Sequence, residues 1–443
     1  MIKLDATRNK LNKRQYYGLQ RKISNIHESF MSDVKNNSFG TGWFNFEQNV
    51  DVVDQMQTKI NELKNEGVEH LLVIGIGGSF LGSSSAIDFI NGKYDPKKNV
   101  HFAGVNLSSS HINQIKETLS DKKYAICVIS KSGTTIEPAI IFRYFKDDLK
   151  QRYGEDYNKY VISITSENSG KLVEISKLRN YTSFYIDDNT GGRFSALTPA
   201  GTFPMLWAGI DVKALMSGAA KAKKELTASS KLDENIAYKY AAIRYALNRP
   251  RLAIHRTNGL GITLKTTKQY DMEIMTTYDS DLQQLTNWWV QLFGESEGKF
   301  NRGIYPTKAF NTTDLHSLGQ AIQGGKKIFF ETTLWIEEQF NKELLIPETS
   351  DDLDGLNYLR GVSIQQINKL AFESVYKAHS EDANTPNIVL FAEKKNEETF
   401  GYLLFFWWMS VVMSAKLNKM DPFNQPEVEI YKNNLKKELE KYK

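Results

Sequence analysis

The sequence predicts an α/β protein of two subdomains, each built on a parallel sheet, with helical terminal segments wrapping them. Two observations predict it. Short apolar runs, at 70–76, 99–105, 124–129, 160–165 and 183–186, read as buried strands. Amphipathic segments such as 110–119 and 137–150 stand between them, and that alternation is the mark of βαβ units on a parallel sheet. A second stretch repeats the pattern more weakly, with strands expected at 251–255, 303–306, 327–332 and 387–391 and helical patterns between and after them. The first ~45 residues and everything after Asn396 read as helical or irregular. The expected division is a helical segment at 1–48 packing on the second subdomain, α/β subdomains at 49–190 and 191–396, and a C-terminal helical segment at 397–443.

Length and composition agree with such a body. At ~150 residues per domain, 443 residues give two or three domains, enough to bury a core without disulfides or structural metals. Fifty-six Lys and Arg against 52 Asp and Glu leave a net charge of +4, too slight and too evenly spread for a nucleic-acid groove. The single cysteine, Cys127, permits no internal disulfide and fits a reducing compartment. The first twenty residues have no apolar core of the kind a secretion signal needs, so a cytoplasmic protein is expected. The uncharged run at 400–415 contains Gly401, Ser410 and Ser414 and falls short of the ~20 apolar residues of a spanning helix. A helix buried on all sides of a large core accounts for it better.

In folds of this class, functional groups collect on loops at the carboxyl ends of parallel strands. The first strand runs into Gly75-Ile76-Gly77-Gly78-Ser79-Phe80-Leu81-Gly82, a turn whose backbone can approach an anion, or simply a tight strand–helix connection. A dinucleotide site is disfavoured: Phe80 occupies the place of the third glycine, and no acidic residue follows the second strand at Val105-Asn106-Leu107 to hold a ribose. The third strand ends in Ser130-Lys131-Ser132-Gly133-Thr134-Thr135 before Glu137-Pro138 opens a helix. Capping needs one hydroxyl, and four beside a lysine suit a phosphate dianion. No paired aspartates accompany them, so the phosphate reads as a handle and not as a group being transferred.

Further along, Arg193 follows Gly191-Gly192, and flexible backbone can deliver its guanidinium to a ligand, although taken alone it reads more readily as a structural bridge between the subdomains. Glu295 ends an apolar segment, Trp288-Trp289-Val290-Gln291-Leu292-Phe293, where desolvation can tune a carboxylate as a general base. His316 stands at a helix start, and His27, His70, His101, His111, His255 and His379 show no metal-ligand spacing. In the last helix Gln425 and Lys432 are seven apart and share a face.

Taken in order, the motifs GIGGSFLG, SKSGTTIEP, GGRFSALTPAG, ESEGK, TTDLHSLGQ and NQPEVEIYK resemble the glucose 6-phosphate isomerase (phosphoglucose isomerase) family in its shorter bacterial form. The resemblance runs from about Val73 to Lys432. It implies two sugar-isomerase-type (SIS) subdomains and interconversion of glucose 6-phosphate and fructose 6-phosphate through an enediol, in glycolysis and gluconeogenesis, with no metal or cofactor. It further implies that Glu295 moves the proton between carbon 1 and carbon 2, and that Arg193 steadies the enediolate. His316, supplied by the neighbouring subunit of a homodimer, and Lys432 would serve ring opening. Gly78, Ser79 and Gln425 would hold the sugar, and Ser130, Lys131, Ser132, Thr134 and Thr135 the phosphate. One position departs from the bacterial pattern: Glu427 stands where glycine is expected, adding negative charge near Lys432. Three other readings stay open: an isomerase that also epimerises to mannose 6-phosphate, a phosphosugar sensor without catalysis, and, least favoured, a dehydrogenase.

Overall fold

The computed structural model describes residues 2–249, 268–338 and 343–442, together with the backbone of residues 252–257 and 261–266. Five strands, β2 (His70–Ile74), β3 (Val100–Ala103), β4 (Tyr124–Ile129), β5 (Val161–Thr165) and β6 (Thr182–Tyr185), form an all-parallel sheet in the order β3-β2-β4-β5-β6. Every residue of β4 and β5 is buried, because helices cover both faces of such a sheet. The five strands fall where the apolar runs place them, each within one or two residues of the expected start.

The second sheet has the order β1-β12-β11-β9-β10, from β1 (Ile2–Asp5), β9 (Met272–Thr277), β10 (Tyr305–Phe310), β11 (Phe329–Glu338) and β12 (Asn387–Lys394). Its last four strands are parallel, whereas β1 pairs antiparallel to β12, with Asp5 opposite Val389. Two expectations need correction here, and one strand was not expected at all. The N-terminus does not begin helical or irregular, since residues 2–5 form the edge strand β1. The strand expected at 251–255 does not join this sheet: Leu252–Thr257 (β7) pairs antiparallel with Gly261–Thr266 (β8) in a separate hairpin, and Arg251 lies outside the described residues. The central strand β9 escapes the apolar pattern because Met272-Glu273-Ile274-Met275-Thr276-Thr277 carries a glutamate at its core, fully buried.

That glutamate has a partner. Arg244, on the helix Ile236–Leu247, donates from Nε to Glu273 Oε2 (2.6 Å) and from Nη1 to both oxygens of Glu297 (2.8 and 3.1 Å), with Ser414 Oγ 2.7 Å away. All three charged side chains are wholly inaccessible to solvent, and Thr332 and Tyr240 also donate to Glu273. Two carboxylates on one guanidinium join β9, the end of the helix Gln283–Glu297 and the central helix at one point.

The central helix is Glu397–Leu417, which contains the uncharged run and is buried along nearly its whole length. By length and composition it could cross a membrane, yet its sides are occupied by protein. It crosses the helix Val212–Thr227 at very short range. A methyl group on Gly401 would stand 1.9 Å from the Leu215 carbonyl oxygen, and one on Gly218 would stand 2.0 Å from that of Glu398. Glycine on both helices lets the backbones touch. Around this axis Trp43, Phe194, Phe405 and Trp408 pack ring to ring, joining the N-terminal segment to the loop that carries Arg193.

Candidate active site

The turn after β2 places Gly77 in the left-handed region (φ 59°), and Gly78 opens the helix Gly78–Asn91. A side chain on Gly78 could not exist here, because its Cβ would lie 1.9 Å from the carbonyl oxygen of Gly192. The glycines therefore serve close approach: the turn bearing Gly78 and Ser79 seats directly on the segment bearing Arg193.

Arg193 is 4% exposed, and each of its five N–H groups has a partner. Nη1 donates to Glu295 Oε2 (2.8 Å) and to Gln425 Oε1 (2.5 Å). Nη2 donates to the carbonyls of Pro422 (2.8 Å) and Asn424 (3.3 Å), and Nε to Ser296 Oγ (3.2 Å). Burial pulls the guanidinium below its ordinary pKa and Glu295 opposes that pull. Arginine's intrinsic basicity keeps it charged all the same, where a lysine in its place could lose its proton.

Glu295 sits in the last turn of the helix Gln283–Glu297 with its side chain one third exposed. One oxygen faces Arg193, and the other accepts from Gln291 Nε2 (3.1 Å). Gln291 belongs to none of the sequence motifs. Its Oε1 is buried without a partner among the described residues, and its Nε2 lies against Gly77, where an added Cβ would stand 2.7 Å away. The signal was present: a lone amide inside an apolar run, four residues before Glu295, shares its face.

The loop after β4 gathers several hydroxyls. Gly133, at φ 70°, turns the chain so that its N–H meets Ser130 Oγ (3.0 Å). Ser132 and Thr134 join their hydroxyls at 2.9 Å, and Thr135 precedes the helix Ile136–Tyr153 without spending its side chain as a cap. The hydroxyls thus remain at a helix N-terminus, whose amides and dipole favour an anion. Lys131 points elsewhere. Its ammonium binds the carbonyls of Asp188 and Thr190, joining this loop to the one carrying Arg193.

Two expected residues stay apart from this cluster. His316 ends an exposed turn, Thr313–His316, after β10, and its side chain makes no hydrogen bond or ion pair among the described residues. Lys432 is exposed on the helix Val428–Leu439 and pairs with Glu429 (2.6 Å). Neither touches Glu295 or Arg193. Glu427 is exposed and right-handed (φ −69°, ψ −27°), so nothing in its backbone calls for the glycine expected there. Among the described residues, no group of three or more His, Cys, Asp or Glu side chains is arranged to hold a metal ion.

Residues 45–334 match the family model of phosphoglucose isomerase. The chain belongs to that family. It is 46% identical over 405 residues to the glucose-6-phosphate isomerase of Mycoplasmopsis pulmonis, a span that covers 90% of each chain. Phosphoglucose isomerases are aldose–ketose isomerases, and this chain is such an enzyme. The fold is shared with a hypothetical protein from Thermus thermophilus, at a TM-score of 0.88 and 24% identity, over 99% of this chain and all of that one. It is shared as well with the glucose-6-phosphate isomerase of Chlamydia trachomatis, at a TM-score of 0.77 and 19% identity, over 99% of this chain and 88% of that one. The two α/β halves expected from the sequence are thus those of the phosphoglucose isomerase fold.

Proposed function

We propose that this isomerase interconverts glucose 6-phosphate and fructose 6-phosphate with Glu295 as the proton-transferring base and Arg193 as the fixed cation. The observation that carries the reading is the Glu295–Arg193 pair. A carboxylate partly open to solvent stands 2.8 Å from a guanidinium whose every donor is held by protein. Isomerisation needs a base over the carbon 1–carbon 2 edge that takes a proton from one carbon and returns it to the other. The negative charge that develops on oxygen meanwhile needs a cation that does not have to reorganise.

Around that pair, Gly78, Ser79 and Gln425 hold the sugar, and Gln291 steadies the base. Ser130, Ser132, Thr134 and Thr135 take the phosphate, while Lys131 supports the cup from behind. His316 and Lys432 act in ring opening. Because His316 is exposed and touches neither Glu295 nor Arg193, we assign it to the site of a second copy in a homodimer. The enzyme works in the cytoplasm, within glycolysis and gluconeogenesis.

The test is incubation with fructose 6-phosphate in deuterated water, without added metal or cofactor, followed by proton NMR. Glucose 6-phosphate labelled at carbon 2 is the expected product, and mannose 6-phosphate in the same spectrum would reveal epimerisation. Binding without product would leave a sensor. Ser132→Asp is expected to raise KM for the sugar phosphate at least tenfold, since a carboxylate then faces the phosphate. An unchanged KM would displace the phosphate from this loop.

A further inference from the structure

Lys299 is almost wholly buried, yet neither the family motifs nor the chemistry above gives it a task. It directly follows the helix that carries Glu295. Its Nζ donates to the carbonyl of Ser296 (3.0 Å) and to that of Asp421. Asp421 opens the loop whose Pro422 and Asn424 carbonyls and Gln425 side chain hold Arg193. Arg193 in turn reaches back to Ser296 and Glu295. The contacts therefore close on themselves, from Ser296 through Lys299 to Asp421, along the loop to Arg193, and back to Ser296.

We propose that Lys299 is a positioning residue for the isomerisation, closing the hydrogen-bonded circuit that holds Arg193 against Glu295. The proposal rests on the reading that Glu295 and Arg193 carry the chemistry. Without the lysine, the guanidinium alone would carry the hydrogen bonds found among the described residues between the loop at 421–425 and the end of the Glu295 helix, and the arginine would lose the fixed frame that makes its charge effective.

The circuit is also sensitive to pH. Burial, with the nearby Arg193 adding to it, pulls the Lys299 ammonium down to about 8, while Asp421, Glu427 and Glu295 act in the opposite direction. At pH 7 the group is a cation making charge-assisted bonds, and above about 8 it becomes an amine whose bonds to carbonyls are weaker. Activity should therefore decline on the alkaline side with Lys299 as the titrating group.

The experiment measures kcat and KM for fructose 6-phosphate from pH 6 to pH 10 in the wild type, Lys299→Met and Lys299→Arg, with melting curves for each. The expected wild-type kcat falls with a midpoint about one unit above neutrality. Lys299→Met should show kcat lowered about thirtyfold at pH 7, KM within about threefold, and no inflexion in that range. Lys299→Arg should keep the higher kcat and shift the decline above pH 9.5. A wild-type profile flat from pH 7 to 9.5 overturns the proposal even where neither variant folds. So does an inflexion that persists in Lys299→Met, or a kcat for that variant within threefold of wild type. The parent reading fails separately: Glu295→Gln with more than a tenth of wild-type activity removes it, whereas an inactive Glu295→Gln beside a normal Lys299→Met removes only the role of Lys299.

Discussion

Glu295→Gln is expected to lower kcat for fructose 6-phosphate by at least ~10³-fold and to leave KM within about threefold, because the proposed base acts in the chemical step and hardly in binding. The substitution is nearly isosteric, and the surroundings can absorb it. A glutamine carbonyl still accepts from Arg193 Nη1. The new amide nitrogen faces Gln291, which presently donates to Glu295 at 3.1 Å and keeps a buried Oε1 without a partner among the described residues. Turning over the Gln291 amide converts that clash of donors into a hydrogen bond. A glutamine amide cannot accept a proton from carbon, so the loss falls on turnover. Steady-state kinetics together with a melting curve check this, and a variant retaining more than a tenth of wild-type kcat would falsify the assignment of the base.

Arg244→Met is expected to cost about 3–5 kcal/mol of stability, the usual penalty for removing one member of a buried ion cluster. Methionine fills much of the volume but leaves Glu273 and Glu297 facing each other with no cation, both wholly out of reach of water. Glu297→Gln is the informative companion. It leaves one guanidinium for one carboxylate, so it should cost less than half as much. Denaturant unfolding measures both. If Arg244→Met unfolds within ~1 kcal/mol of wild type, the cluster does not pin β9 to the Glu295 helix. Glu297 lies two positions after Glu295, so loosening this point should also lower activity before the molecule melts.

What could be read from the sequence was what local chemistry dictates. The glycine-rich turn at 75–82, the hydroxyl cluster at 130–135 and Arg193 behind its two glycines all lie where chain direction and backbone freedom have few alternatives. The structure brings Arg193, Glu295 and Gln425 into hydrogen-bonding contact. Residues defined by distant partners were harder to see. Glu273 disguises β9 because the arginine that neutralises it is 29 positions away. Strand β1 looks like an irregular tail because its sheet partner, β12, lies far along the chain. Lys299 reads as a surface charge in a Glu-Ser-Glu-Gly-Lys run, and only the fold supplies the carbonyl of Asp421 that buries it. His316 and Lys432 carry the family's pattern but make no contact with Glu295 among the described residues.

The pairing of β1 with β12 has a consequence for synthesis. Strand β1 leaves the ribosome well before its partner β12, with Asp5 set opposite Val389. By contrast, every strand of the first sheet lies between residues 70 and 185, so that half can assemble while the remainder is still being translated. Long-range pairings form slowly because loop closure must precede their reward. Until then β1 is a free edge, open to the strands of other nascent chains. Its brevity, four residues with a lysine at the third position of the chain, limits that hazard during the wait. The central helix, also made late, supplies buried side chains along nearly its whole length, so the core is incomplete until it is present.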